Sequence, residues 1–139
     1  MFLLDTNVLS EVRRGVRANA NVAAWSKDHD SALFHISAIT VLEIERGALL
    51  MARRDRRQAD VLQSWLESFV LGQFAGRILP IDAVIARRCA RLHVPNPRPE
   101  RDALIAATAL VHGMTVVTRN VQDFRDTGAN LLNPWELNA

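Results

Sequence analysis

Short apolar runs alternate with helix-period segments along this chain, and that alternation restricts the fold more than any other feature. Residues 2–4, 32–36, 78–81, 115–118 and 130–132 are apolar and too short for helices, so they read as buried strands. Between them lie segments with helical spacing at about 7–14, 21–29, 38–53, 56–71, 83–93 and 100–112. Punctuation supports these limits. Asn7, Ser37 and Asp82 read as helix N-caps, Pro99 suits a first helical turn, and Gly113 suits a C-terminal stop. Pro80 confines the third run to an edge or a strand end. Strands alternating with helices predict an α/β sandwich on a mostly parallel sheet. With 139 residues, no repeat and no linker, residues 1–139 are expected to form one domain.

An open parallel sheet binds ligands at the carboxyl ends of its strands. Asp5 sits there, directly after the first apolar run. Glu43 lies one turn into the helix after Ser37, and Thr40 and Gly47 share its face at helical spacing. The opposite side, with Leu42 and Leu49, is expected to serve the core, and Gly47 to let another backbone approach. Asp102 lies in the first turn of an alanine-rich helix, where the helix dipole favours an ionised acid. Asn120 and Asp123 follow the fourth strand. Four acids at such positions suit a divalent cation. Oxygen ligands without paired His or Cys select Mg²⁺ or Mn²⁺ over Zn²⁺. Such sites most often hydrolyse phosphodiesters, the metal activating water and neutralising phosphoryl charge.

Composition sets outer limits. One cysteine rules out an internal disulfide, and no run is long enough to span a membrane. No signal peptide is read at the N-terminus, so a cytoplasmic protein is expected. The net charge is +2, and Lys27 is the only lysine. Arginine suits phosphate recognition, but arginine-rich coding bias explains it equally well. The run at 53–57 is a solvated surface or a phosphate-tracking patch. His35, His93 and His112 each end an element and form no site, Cys89 reads as core, and Trp25 and Trp65 as core or interface anchors.

Four stretches carry a more specific signal. They are Leu4-Asp5-Thr6-Asn7, the stretch from Ile36 to Glu43 with Gly47, the stretch from Asp102 to Ala109, and Thr118-Arg119-Asn120-Val121-Gln122-Asp123-Phe124. In this order the chain resembles a PIN domain, most closely the VapC or FitB-like toxins of type II toxin–antitoxin systems. Asn133-Pro134-Trp135 also resembles that subgroup. The resemblance implies a PIN-like three-layer α/β/α sandwich and a Mg²⁺- or Mn²⁺-dependent ribonuclease. It implies Asp5, Glu43, Asp102 and Asp123 as the metal-binding acids, with Asn120 competing for the fourth place. Thr6, Asn7, Ser37, Thr40 and Thr118 map onto supporting positions, and Arg46 and Arg119 are candidate RNA contacts. A homodimer and a cognate antitoxin are implied as well. The proline-rich lead into Asp102 departs from the pattern.

Other α/β chemistries fit worse. A phospho-acceptor receiver pairs acids after its first strand and needs a late lysine, whereas Asp5 stands alone and Lys27 is early. An aspartyl phosphatase of the Asp-x-Asp type would need an acid where Asn7 stands. The remaining alternative is a non-catalytic PIN scaffold that binds RNA or a partner.

Overall fold

In the computed structural model, which describes residues 1–137, all five expected strands form and join one sheet. β1 (Phe2–Leu4) lies at its centre, in the order β3-β2-β1-β4-β5. β2 (Phe34–Ser37), β3 (Ile78–Leu79), β4 (Thr115–Val117) and β5 (Asn130–Leu132) complete it, and all four pairings are parallel. β3 is an edge strand, as Pro80 requires.

Strand alternation sends successive side chains to opposite faces. Leu4, Phe34, Ile36 and Val117 pack on one side. There they meet α1 (Thr6–Val12), α2 (Ala20–Lys27), α3 (Ala38–Met51) and the segment that continues α4 (Arg56–Trp65). That segment is a π-helical turn, Leu66–Val70, closed by the short α5 (Leu71–Gln73). Leu3 and Val116 pack on the other side against Ile105, Ala106 and Ala109 of α7 (Glu100–His112). α6 (Ala83–Leu92) then seats Ile85 and Cys89 on Ala103 and Ala107. Both faces of the sheet are therefore buried, which makes the three layers expected of this strand pattern.

Most caps fall where the sequence places them. The side chains of Ser37 and Asp82 accept from the N–H groups of Ile39 and Ile85. Gly113 ends α7 at φ 67°, a left-handed conformation that glycine adopts without strain. Four expectations are corrected. Asp5, not Asn7, caps α1, because the helix starts one residue earlier and the Asp5 side chain accepts from Thr6 N–H. The second strand starts at Phe34, since Asp30 caps a 3₁₀ turn over Ser31–Leu33. Leu42 and Leu49 point outward, 47% and 63% exposed, and Ile39, Ile44 and Ala48 supply α3's core face instead. A Cβ at Gly47 would meet no atom within 4 Å, so no backbone approaches there.

Ile36 is fully buried on an inner strand. Ile36→Ala is expected to cost about 2–5 kcal/mol in urea unfolding, as large-to-small changes in close-packed cores do. A cost below about 1 kcal/mol would show a core that collapses around the missing atoms.

Candidate active site

The parallel sheet brings the ends of β1 and β4 together, because Leu4 pairs with Val117. Asp5 therefore lies beside Thr118, and its N–H donates to Val117 O at 2.9 Å. The Asp5 carboxylate is almost wholly enclosed, 7% exposed, and three donors fix it. Thr6 N–H donates to Oδ1 at 2.8 Å, while Thr118 Oγ1 and Asn7 Nδ2 donate to Oδ2 at 2.8 and 3.3 Å. Two carboxylate oxygens offer about four lone-pair directions, so three donors leave room for one further ligand on Oδ1.

Glu43 reaches the same place from α3. Its Oε1 accepts from Thr6 Oγ1 at 2.9 Å, and Oε2 lies 3.7 Å from the Arg101 guanidinium. Thr6 thus holds Asp5 through its backbone and Glu43 through its side chain. Asp102 comes from the first turn of α7. Asp5, Glu43, Asp102 and Asn120 line one open cleft of about 510 Å³. Asp123 stands in a 3₁₀ turn at Val121–Phe124, exposed and outside the cleft wall. Its charge still acts on both Asp5 and Asp102.

Three acids in one place strain the ionised state. Burial raises the Asp5 and Glu43 carboxyls above the ordinary carboxylate range, against the lowering effect of their hydroxyl donors. Burial, followed by the charges of Asp5, Asp123 and Glu43, raises Asp102 to about 6. Arg101 offsets part of this at Glu43 and Asp102. An all-oxygen donor set with free lone pairs and mutually repelling charges fits a hard divalent cation.

The supporting residues divide. Thr6, Asn7 and Thr118 hold the acids directly, and the buried Ser37 acts one step back by capping the helix that carries Glu43. Thr40 is buried, its hydroxyl lacks a partner, and it does not line the cleft. Arg46 is exposed and away from the lining, whereas Arg119 is part of it. Sequence reasoning passed over Arg101, Arg14, Glu11 and Trp135. Glu11 lines the cleft but is occupied, accepting from Asn19 N–H and pairing with Arg14 at 3.2 Å. Arg101 had a signal in its adjacency to Asp102. Trp135 had only its resemblance to a family ending.

Among the described residues, the potential ligand atoms that lie within 4.8 Å of one another belong to a different group, Cys89, His93 and Glu100. It does not fit a metal. The Arg98 backbone N–H donates to His93 Nδ1 at 3.2 Å, so that nitrogen carries no proton. The ring proton is then on Nε2, which faces Glu100 Oε2 at 3.0 Å. The lone pair a metal would need is used. Cys89 is buried, and burial and the Glu100 charge raise its thiol. The cluster closes the proline-rich loop onto α6 and α7.

The raised acids give a sign for pH. A carboxyl with a higher pKa when folded binds more protons in the folded state, so it lowers stability as pH rises through that window. In the absence of divalent cations, Asp102→Asn should gain stability over the wild type as pH rises from 3.8 to about 6. Paired thermal melts along that range measure it. A constant difference would mean that neither burial nor the neighbouring charges raise the Asp102 carboxyl.

Comparison with known proteins places this geometry in a family. The PIN domain family profile matches residues 2–130. The chain is 38% identical over 141 residues to VapC ribonuclease Y4jK of Sinorhizobium fredii, covering 98% of this chain and 99% of that protein. It is also 38% identical over 141 residues to toxin FitB of Neisseria gonorrhoeae, covering 97% and 99%. The crystal structure of FitAcB from Neisseria gonorrhoeae superposes with a TM-score of 0.88 at 37% identity, covering 99% of this chain and 100% of that one. The profile match and the nearly full-length relatives show that the chain belongs to the PIN domain family.

Proposed function

We propose that this chain is a metal-dependent endoribonuclease, the toxin of a toxin–antitoxin pair. The observation that carries the proposal is the convergence of Asp5, Glu43 and Asp102 in one cleft, with Asp5 and Glu43 held by hydroxyl, amide or guanidinium groups. The names of relatives with nearly full-length matches, a ribonuclease and a toxin, support the substrate class and the role.

Asp5, Glu43 and Asp102 would hold Mg²⁺ or Mn²⁺, with Asp123 as the fourth acid and Asn120 as its competitor inside the cleft. A divalent cation in such a site neutralises phosphoryl charge and acidifies water. Thr118, Asn7 and Thr6 orient the Asp5 and Glu43 oxygens before any ion arrives. Arg101 restrains the free charge of Glu43. Arg119 brings positive charge to the cleft wall, which an acidic centre needs if it is to admit a polyanion.

The chain would act in the cytoplasm as a homodimer, with a cognate antitoxin covering the cleft. Leu42, Leu49 and Val61, left outside the core, offer apolar surface for such contacts. Among the described residues no helix is long and apolar enough to cross a membrane.

Asp5→Asn keeps the size of the side chain and its oxygen toward Thr6 N–H, but removes the charge. It is expected to abolish RNA cleavage in gel assays with Mg²⁺ or Mn²⁺ while preserving the folded circular dichroism spectrum. Cleavage at the wild-type rate would sink the mechanism. RNA bound but left intact by the wild type would favour a scaffold that binds without cutting. Metal should also stabilise the fold by about 2.7 kcal/mol at 100 times its Kd. Asp5→Asn should lose most of that gain in a thermal shift assay.

A further inference from the structure

Trp135 lies in the turn after β5 and lines the same cleft as Asp5, Glu43 and Asp102. It is half-buried, packing against the core cluster that includes Leu4 and Val117. Its backbone is held at both ends. Its N–H donates to Asn133 Oδ1 at 3.0 Å, and its carbonyl accepts from Asn21 Nδ2 at 2.9 Å. An indole with a fixed main chain is a rigid surface rather than a loose terminal side chain.

The Arg119 guanidinium carbon stands 5.3 Å from the indole centroid. Arg119 is exposed and takes part in none of the ion pairs among the described residues. Its position is tied to the acids. Its N–H donates to Asn7 Oδ1 at 3.3 Å, and the Nδ2 of the same amide donates to Asp5 Oδ2 and Thr118 Oγ1. A guanidinium over an aromatic ring, tied through Asn7 to a carboxylate centre, suits a nucleotide. The exposed guanidinium can turn from the ring to phosphate, and the indole face it uncovers stacks a base of any identity.

We propose that Trp135 and Arg119 form a subsite for the unpaired nucleotide next to the scissile phosphate. The inference rests on the ribonuclease reading and adds what the acids do not supply: a grip on the substrate that demands an unstacked base. A paired base has its faces covered by neighbours, so this subsite favours single-stranded RNA and loops.

The test uses the full chain. An RNA cut by the wild type, with its cut site mapped, is resynthesised with an abasic residue flanking that site. W135L keeps apolar bulk against the core without a π-face, and W135F keeps both. W135L should lose about tenfold or more in kcat/KM on intact RNA, the scale of one base–aromatic stack. W135F should stay near the wild type. The abasic RNA should cost the wild type a similar factor and cost W135L nothing further. Wild-type activity of W135L, or a full abasic penalty in W135L, overturns the subsite. A purely structural role for Trp135 would not remove sensitivity to the missing base. Binding of single-stranded RNA carrying 2-aminopurine, in Ca²⁺ without turnover, separates the two readings. Quenching by the wild type and W135F but not by W135L supports the subsite even where no RNA is cut, and that outcome would overturn only the ribonuclease reading. Absence of quenching by the wild type overturns the subsite. If W135L does not fold, R119A tests the other half: it removes the phosphate donor and keeps the indole, so it should lower kcat/KM on intact RNA and keep the abasic penalty, and wild-type activity of R119A overturns the subsite.

Discussion

The contact between Thr118 Oγ1 and Asp5 Oδ2 spans 113 positions of sequence, and the site depends on it. It joins the ends of two adjacent strands across the cleft floor. It also offsets part of the cost of enclosing a carboxylate, because a buried charge without donors would neutralise itself. The same hydroxyl accepts from Asn120 N–H at 3.0 Å, so the turn carrying Asn120 and Asp123 is hung from the group that holds Asp5. One threonine thereby couples strand register, acid orientation and the approach of the fourth motif.

The donors around the acids are mostly hydroxyls and amides, and that choice has a consequence. Arg101 is the one cation whose charge lowers both Glu43 and Asp102, and it lies 3.7 Å from Glu43, too far for a tight pair. Close arginine partners would stabilise the ionised acids and also fill the cleft with fixed positive charge. Hydroxyls and amides orient oxygen atoms and leave the net charge negative. The resulting repulsion is stored in the folded state and is relieved by an added cation. The cleft is therefore selective for cations before geometry is considered.

Much of this arrangement was legible in the sequence because it depends on local rules. Strand length, N-caps at Ser37 and Asp82 and the glycine stop at Gly113 each need only a few neighbouring residues. The misreadings come from decisions made at longer range. Asn7 and Asp5 are both good caps, and what decides between them is that Asn7 is engaged with Thr118 and Arg119 from the far end of the chain. Leu42 and Leu49 fit helical spacing, but the inner face of α3 is set by where the sheet lies, and Ile39, Ile44 and Ala48 meet it. The choice between Asp123 and Asn120 is likewise beyond local rules, since a 3₁₀ turn sets Asp123 outside the cleft wall that Asn120 lines.

Trp135 shows the same limit from the other side. Nothing in its local sequence marks it as part of a site formed mainly by residues from the other end of the chain. It arrives there because β5 pairs with β4, and the turn after β5 runs past the same strand ends as Thr118. A parallel sheet gathers every strand's carboxyl end on one side, so the last turn inherits a place at a cleft whose acids were set by the first strand. The acids concentrate negative charge at the centre, and Arg119 on Trp135 puts a cation over an aromatic ring at the edge. A polyanionic chain can be held over an acidic centre only if the grip lies beside the charge and not within it, and the proposed subsite meets that condition.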